Sequence, residues 1–187
     1  QLFQDVNGDY LDPTYGYNYE LGVKAGFFDG ALYASAAVFQ TDQKDVANYL
    51  YFDAVANRSI YESIDGVTTR GFELELAGAL SDRWNVSGGY TYRIARDDDD
   101  AEVQTDQPRN TLKLATDYRI PGVLDDRLTV GGAVRWQSRT ESMTWEGGLP
   151  SVPQEAYAIF DASAKYEIRE GVDLSLNVTN LFDKKYY

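Results

Sequence analysis

Trp84-Asn85-Val86-Ser87-Gly88-Gly89-Tyr90-Thr91-Tyr92-Arg93-Ile94 decides the fold. Trp84, Val86, Tyr90, Tyr92 and Ile94 share one face of an extended chain, and Asn85, Ser87, Thr91 and Arg93 share the other. Side chains alternate in this way in a β-strand, so the stretch reads as a strand with one apolar and one polar face. The pattern recurs. Phe72, Leu74 and Leu76 oppose Glu73 and Glu75. Leu128, Val130, Val134 and Trp136 oppose Thr129, Arg135, Gln137 and Arg139, while Val172, Leu174, Leu176 and Val178 oppose Asp173, Ser175, Asn177 and Thr179. Period-two segments predict eight strands, at 17–28, 31–44, 67–80, 84–96, 109–120, 127–140, 155–168 and 172–180.

These strands exceed the globular mode of about 5–6 residues and suit a tilted membrane strand of about 9–11. The polar face carries ionised groups, which a dry core does not accept unpaired. That face is expected to meet water, and the apolar face lipid or another sheet. Short turns are predicted at Asp29-Gly30, Ser81-Asp82-Arg83, Pro121 to Asp126 and Arg169-Glu170-Gly171. Long loops are predicted at 45–66, 97–108 and 141–154, with another beginning after Phe182. Short turns at one end and long loops at the other describe an outer-membrane barrel, with the long loops outside the cell. Aromatic residues near strand ends read as interfacial girdles: Tyr17, Tyr19, Phe27, Phe28, Trp84, Tyr90, Tyr92, Tyr118, Trp136, Tyr157, Phe160 and Tyr166. Ordinary β propensity is the competing explanation. One register stays open. A two-residue Asp29-Gly30 turn puts Phe27 with Leu32, Ala34, Ala36 and Val38 and turns Phe39 inward, whereas a bulged turn reverses this.

The chain has 187 residues, no Cys and no His. This removes thiol nucleophiles, Ser-His and Cys-His catalysis, and the usual zinc ligands. A net charge of −13 argues against nucleic acid as a partner. No apolar run approaches the roughly 20 residues of a membrane helix, and mean hydropathy is −0.45. Alternating barrel strands escape that test. Gln1 does not open a signal peptide, which fits a mature or internal fragment.

The final run Asn177-Val178-Thr179-Asn180-Leu181-Phe182-Asp183-Lys184-Lys185-Tyr186-Tyr187 resembles a segment near the C-terminus of TonB-dependent outer-membrane receptors. Tyr19-Glu20-Leu21-Gly22-Val23-Lys24 followed by Phe27-Phe28-Asp29-Gly30-Ala31-Leu32 is similar to a hairpin of the same receptors. Ala37 to Val46, Arg70-Gly71-Phe72-Glu73-Leu74-Glu75, and Pro108-Arg109-Asn110 with Leu112-Lys113-Leu114 resemble their later strands, in the same order. The resemblance covers nearly the whole chain and points to the ferric-siderophore branch, of the hydroxamate or pyoverdine type. It implies an all-β fold: the C-terminal part of a plugged transmembrane barrel of about 22 antiparallel strands. Residues 1–187 would form a partial barrel domain of eight strands, with the plug, the earlier strands and the closing strand absent, and Gln1 to Gly16 ending an outer loop.

The resemblance further implies uptake rather than catalysis. The transported ligand is a ferric siderophore, with no covalently bound cofactor. The partners are a TonB-type energy-transducing protein acting through the plug, and the lipid and lipopolysaccharide of a Gram-negative outer membrane. Aromatic, Arg and amide side chains on outer loops and upper walls are expected to grip the chelate. The candidates are Tyr49, Tyr51, Phe52, Arg58 and Tyr61 in the first long loop, Trp145 in the third, and Arg139 with Gln137 at the outer rim. The competing reading packs the tyrosines within the loop and pairs Arg139 with Glu141 or another strand's acid. Asp97-Asp98-Asp99-Asp100 with Glu102 offers hard oxygen ligands. It lacks an order-imposing glycine turn, however, and reads as a solvated acidic loop rather than a metal site. Bridging lipopolysaccharide phosphates through divalent ions is a third reading. Glu73, Glu75 and Arg93 are expected to face the lumen as wall charges, not as a glycosidase pair. Rival readings are a receptor for vitamin B12, haem or oligosaccharide, a complete eight-stranded structural or adhesion barrel, and a soluble β-sandwich or lipocalin-like binder.

Overall fold

The computed structural model describes residues 3–64, 66–141 and 153–186. The strands are β1 (Tyr15–Phe27), β2 (Leu32–Lys44), β3 (Val46–Asp53), β4 (Arg58–Ile64), β5 (Val67–Ser81), β6 (Trp84–Asp97), β7 (Glu102–Val103), β8 (Asn110–Arg119), β9 (Leu128–Gln137), β10 (Thr140–Glu141), β11 (Pro153–Gln154), β12 (Tyr157–Arg169) and β13 (Val172–Val178). One antiparallel sheet runs β1-β2-β5-β6-β8-β9-β12-β13, so consecutive long strands are neighbours throughout. The strands β3–β4 and β10–β11 form separate ribbons, and β7 pairs with the outer end of β6.

The predicted long strands are all present. The segment 45–66, expected as a loop, instead contains the β3–β4 hairpin. The sheet is open, because its path ends on β1 and β13. This overturns the complete eight-stranded barrel for the described residues. Among the described residues no second large sheet packs on this one, which argues against the soluble sandwich.

The register gives each face its chemistry. Leu21, Val38, Leu74, Tyr90, Leu112, Val134, Phe160 and Leu176 lie on the apolar face. The polar face carries Glu20, Lys24, Glu73, Glu75, Thr91, Arg93, Lys113, Arg135, Asp161 and Lys165. A broad hollow lined by Asn85, Ser87, Asp117, Asp161, Ser163 and Asn177 marks the polar side as concave. Apolar residues are buried at few described positions: Leu32, Ile60, Val67, Ala95 and Ile159. Leu21 and Leu176 are 76% and 65% exposed. An apolar surface this continuous calls for a non-aqueous neighbour.

The edges of the apolar band are also defined. Above Val38, the same face turns polar at Gln40, Asp42, Thr68 and Arg70. There Arg70 Nε donates to Gln40 Oε1 at 2.8 Å and Thr68 Oγ1 to Asp42 at 3.0 Å. Below, Trp84 and Tyr118 meet edge to face at 6.5 Å, and Trp84 Nε1 donates to Thr116 Oγ1 at 2.7 Å. Tyr157 departs from the expected girdle. It pairs with Gln137 and lies on the concave face. Apolar residues on both sides of this strand, Ile159 within and Phe160 without, hide the parity from the sequence. Phe27 pairs with Leu32 across a turn formed by residues 28–31, which turns Phe39 inward opposite Gly71.

Candidate ligand-capturing surface

The long connections leave the same end of the sheet, and the first forms the β3–β4 hairpin. Asp53 Oδ1 accepts the Val55 and Ala56 N–H groups at 2.9 and 3.1 Å and closes the hairpin tip. These local bonds hold the Asp53 carboxyl below its ordinary range. Tyr49 and Tyr61 stand opposite each other, ring centroids 5.6 Å apart. Tyr61 also packs on Phe3 at 4.4 Å, and its N–H donates to the Gln4 carbonyl at 2.9 Å. Arg58 reaches Gln4 Oε1 and the Val6 carbonyl, each at 3.3 Å. Two of the predicted first-loop residues, Arg58 and Tyr61, thus join the hairpin to the segment before β1, and Tyr49 packs on Tyr61 within it. Tyr51 and Phe52 remain about half exposed, at 48% and 53%.

The second and third long connections meet at their bases. Thr105 and Glu141 exchange backbone and hydroxyl hydrogen bonds at 2.8 and 3.0 Å. Arg109 forms a two-pronged ion pair with Glu102. Arg139 lies 3.7 Å from Glu141 and 3.8 Å from Glu155, the acid-paired arrangement weighed from the sequence. It lines a polar hollow with Glu102, Arg109, Ser138 and Thr140. Gln137 faces inward. Trp145 lies outside the described residues.

The acidic run is spent on a turn. Asp97 Oδ1 accepts the Asp99 and Ala101 N–H groups, and Arg96 pairs with Asp100 at 3.3 Å. Glu73, Glu75 and Arg93 face the concave side as expected. Glu75 accepts a bond from Ser35 Oγ, and Arg93 donates to Gln104 Oε1 at 2.6 Å.

The last turn explains the closing motif. Asn180 holds a left-handed backbone, φ 51°, which Asn tolerates better than most residues. Its side chain bonds the Lys184 N–H and carbonyl at 2.8 and 3.1 Å, and its own N–H donates to Asp161 at 2.9 Å. Phe182 packs edge-on against Phe160 at 5.4 Å. Each of Asn180, Phe182 and Lys184 therefore has a defined part in fastening the outer end of β13 to β12.

The sequence profile described as "TonB dependent receptor-like, beta-barrel" matches residues 1–181. The chain belongs to the TonB-dependent receptor family. Among curated members of this family, it is 37% identical over 183 residues to the ferric-pyoverdine BN7/BN8 receptor of Pseudomonas putida, covering 98% of this chain and 21% of that protein. It is 37% identical over 192 residues to the ferripyoverdine receptor of Pseudomonas aeruginosa, covering 99% and 23%. The crystal structure of the P. aeruginosa ferripyoverdine receptor bound to ferripyoverdine superposes with a TM-score of 0.87 over 99% of this chain and 25% of that one. The alcaligin outer-membrane receptor of Bordetella pertussis does so at 0.73, with 32% identity over 96% of this chain and 29% of that one. The chain thus spans about a quarter or less of the length of the curated relatives named here, and it corresponds to the C-terminal part of their barrel. Members of this family are transport receptors, not enzymes.

Proposed function

We propose that this chain forms part of the wall and outer loops of a receptor that imports a ferric siderophore, of the pyoverdine or hydroxamate class, across a Gram-negative outer membrane. The observation that carries the reading is 37% identity to ferric-pyoverdine receptors along 98–99% of the chain. The wall chemistry agrees with it: an apolar convex face for lipid and a charged concave face for a hydrated passage. Tyr51 and Phe52, exposed on the hairpin, make the first contact with the chelate, and Trp145 and Arg139 add to the rim. Tyr49, Arg58 and Tyr61 hold the hairpin in position for that contact. Import is driven by a TonB-type protein through a plug domain supplied outside this chain. Lipopolysaccharide surrounds the outer rim.

The test is iron uptake by cells whose only siderophore receptor is the one carrying this wall. Iron presented as a pyoverdine-type chelate enters when the inner membrane is energised and stops on its de-energisation. Uptake of vitamin B12 or haem instead, with no ferric chelate bound, would overturn the reading.

A further inference from the structure

Two cations stand directly opposite each other on the concave wall. Lys113 of β8 is the register partner of Arg135 of β9. They belong to a row that crosses the sheet as Glu75, Gly89, Lys113, Arg135 and Ile159. Opposed residues hold their Cβ atoms about 4.5–5.5 Å apart, and like charges there weaken the pairing. One acid serves the pair: Arg135 reaches Asp161 at 3.4 Å, while the other oxygen of that carboxylate accepts the Asn180 N–H. Lys113 makes no ion pair within 4.0 Å among the described residues. Glu75 lies beyond Gly89 and is engaged by Ser35 at 3.1 Å. Within this chain, a Cβ on Gly89 would meet only the Leu74 carbonyl, at 3.7 Å.

Neutral hydrogen-bonding groups stand just above. The adjoining row runs Thr91, Thr111, Gln137 and Tyr157. Tyr157 stacks on Tyr186 with centroids 4.8 Å apart and ring planes 17° apart. Lys113, Arg135, Gln137, Tyr157 and Tyr186 line a single recess of about 200 Å³. Gln137 ends β9 and Tyr157 begins β12, which puts the recess at the loop-bearing end of the wall.

We propose that this recess is a subsite for an anionic group of the chelate, a carboxylate or a deprotonated iron-binding oxygen. Lys113 and Arg135 neutralise the anion, and Gln137 and Tyr157 orient it. The inference rests on the siderophore-receptor reading and adds to it the charge of the ligand and the wall residues that select it. An anion between the two cations relieves their mutual repulsion, so occupancy is favoured in a chain whose net charge of −13 otherwise repels anions.

The experiment uses the whole receptor in detergent, with ferripyoverdine and a panel of ferric hydroxamates graded by net charge. Lys113→Met weakens binding of the anionic chelates about tenfold or more, as expected for loss of a charged hydrogen bond. It flattens the salt dependence of that binding and spares chelates of net positive charge, and Lys113→Arg restores affinity. The ligand-free receptor unfolds at an equal or higher temperature in Lys113→Met, because a like-charge contact has been removed. A lower unfolding temperature with unchanged chelate affinity would overturn the subsite and assign Lys113 to a protein carboxylate. A loss of both affinity and stability would overturn it too, as a packing effect. If the unaltered receptor binds no chelate in the panel, the siderophore reading fails first, and the subsite with it.

Discussion

Phe39 lies over Gly71 on the concave face of the sheet. A Cβ on Gly71 would come 2.5 Å from Phe39 Cζ and 2.1 Å from the Tyr92 carbonyl oxygen. The inward phenyl ring is accommodated because its partner strand has no side chain at that position. Gly71→Ala therefore forces both a ring and a backbone to move, at a cost of about 1–3 kcal/mol. Gly132→Ala meets only the Asp161 carbonyl at 3.7 Å and should change stability by less than about 0.5 kcal/mol. Thermal unfolding of the receptor in detergent compares the two. Adding Phe39→Ala to Gly71→Ala should recover part of the loss, since the Tyr92 contact remains.

Arg58 joins two loops that are 52 and 54 residues apart in sequence. Arg58→Ala removes both hydrogen bonds, each worth about 0.5–1.5 kcal/mol net. The expected outcome is faster amide exchange at Tyr61, whose N–H bonds the Gln4 carbonyl, and easier proteolysis between residues 4 and 14. Wall strands such as β6 should exchange as before. If protection at Tyr61 is unchanged, the Phe3–Tyr61 contact carries the junction by itself.

The wall strands were legible in the sequence because an apolar convex face and a polar concave face impose a period of two. Observed strand ends lie close to the predicted ones, as at β6, predicted at 84–96 and found at Trp84–Asp97. Legibility failed where both faces carry apolar groups. That is why Tyr157 was expected outside with the girdle and lies inside. The β3–β4 hairpin was missed although Val46 to Phe52 and Ser59 to Ile64 are rich in strand-forming residues, because a long connection between wall strands reads first as a loop. The partners of Arg58 and the Lys113–Arg135 opposition depend on register over long separations, which no local pattern encodes.

At the opposite end of the wall, Arg83 pairs with Asp126 at 2.8 Å, tying the turn before β6 to the one before β9. The Arg83 hydrogen bond, helped by the Gly122 N–H, holds the Asp126 carboxyl below its ordinary value of 3.8. A depressed carboxyl pKa contributes stability that is present above the unfolded value and lost as pH falls through the folded one. Amide protection at Gly122 should therefore hold above pH 3.8 and fade below it. Asp126→Asn should lower that protection at neutral pH and abolish the acid dependence. Both charges are partly exposed, so salt should weaken the effect.

The central claim is that alternate residues of each wall strand face lipid and the polar interior of the barrel. The chain contains no Cys, so every thiol within these wall strands is an introduced one. The measurement is labelling of the receptor with its plug deleted, in isolated outer membranes, by a small membrane-impermeant thiol reagent at paired positions: Ser87→Cys, Ala115→Cys and Ala133→Cys on the concave face, and Val86→Cys, Leu114→Cys and Val134→Cys on the convex face. The account predicts that the first set reacts and the second does not, strand after strand with a period of two. Equal reaction on both faces, or reaction confined to the convex set, would contradict it.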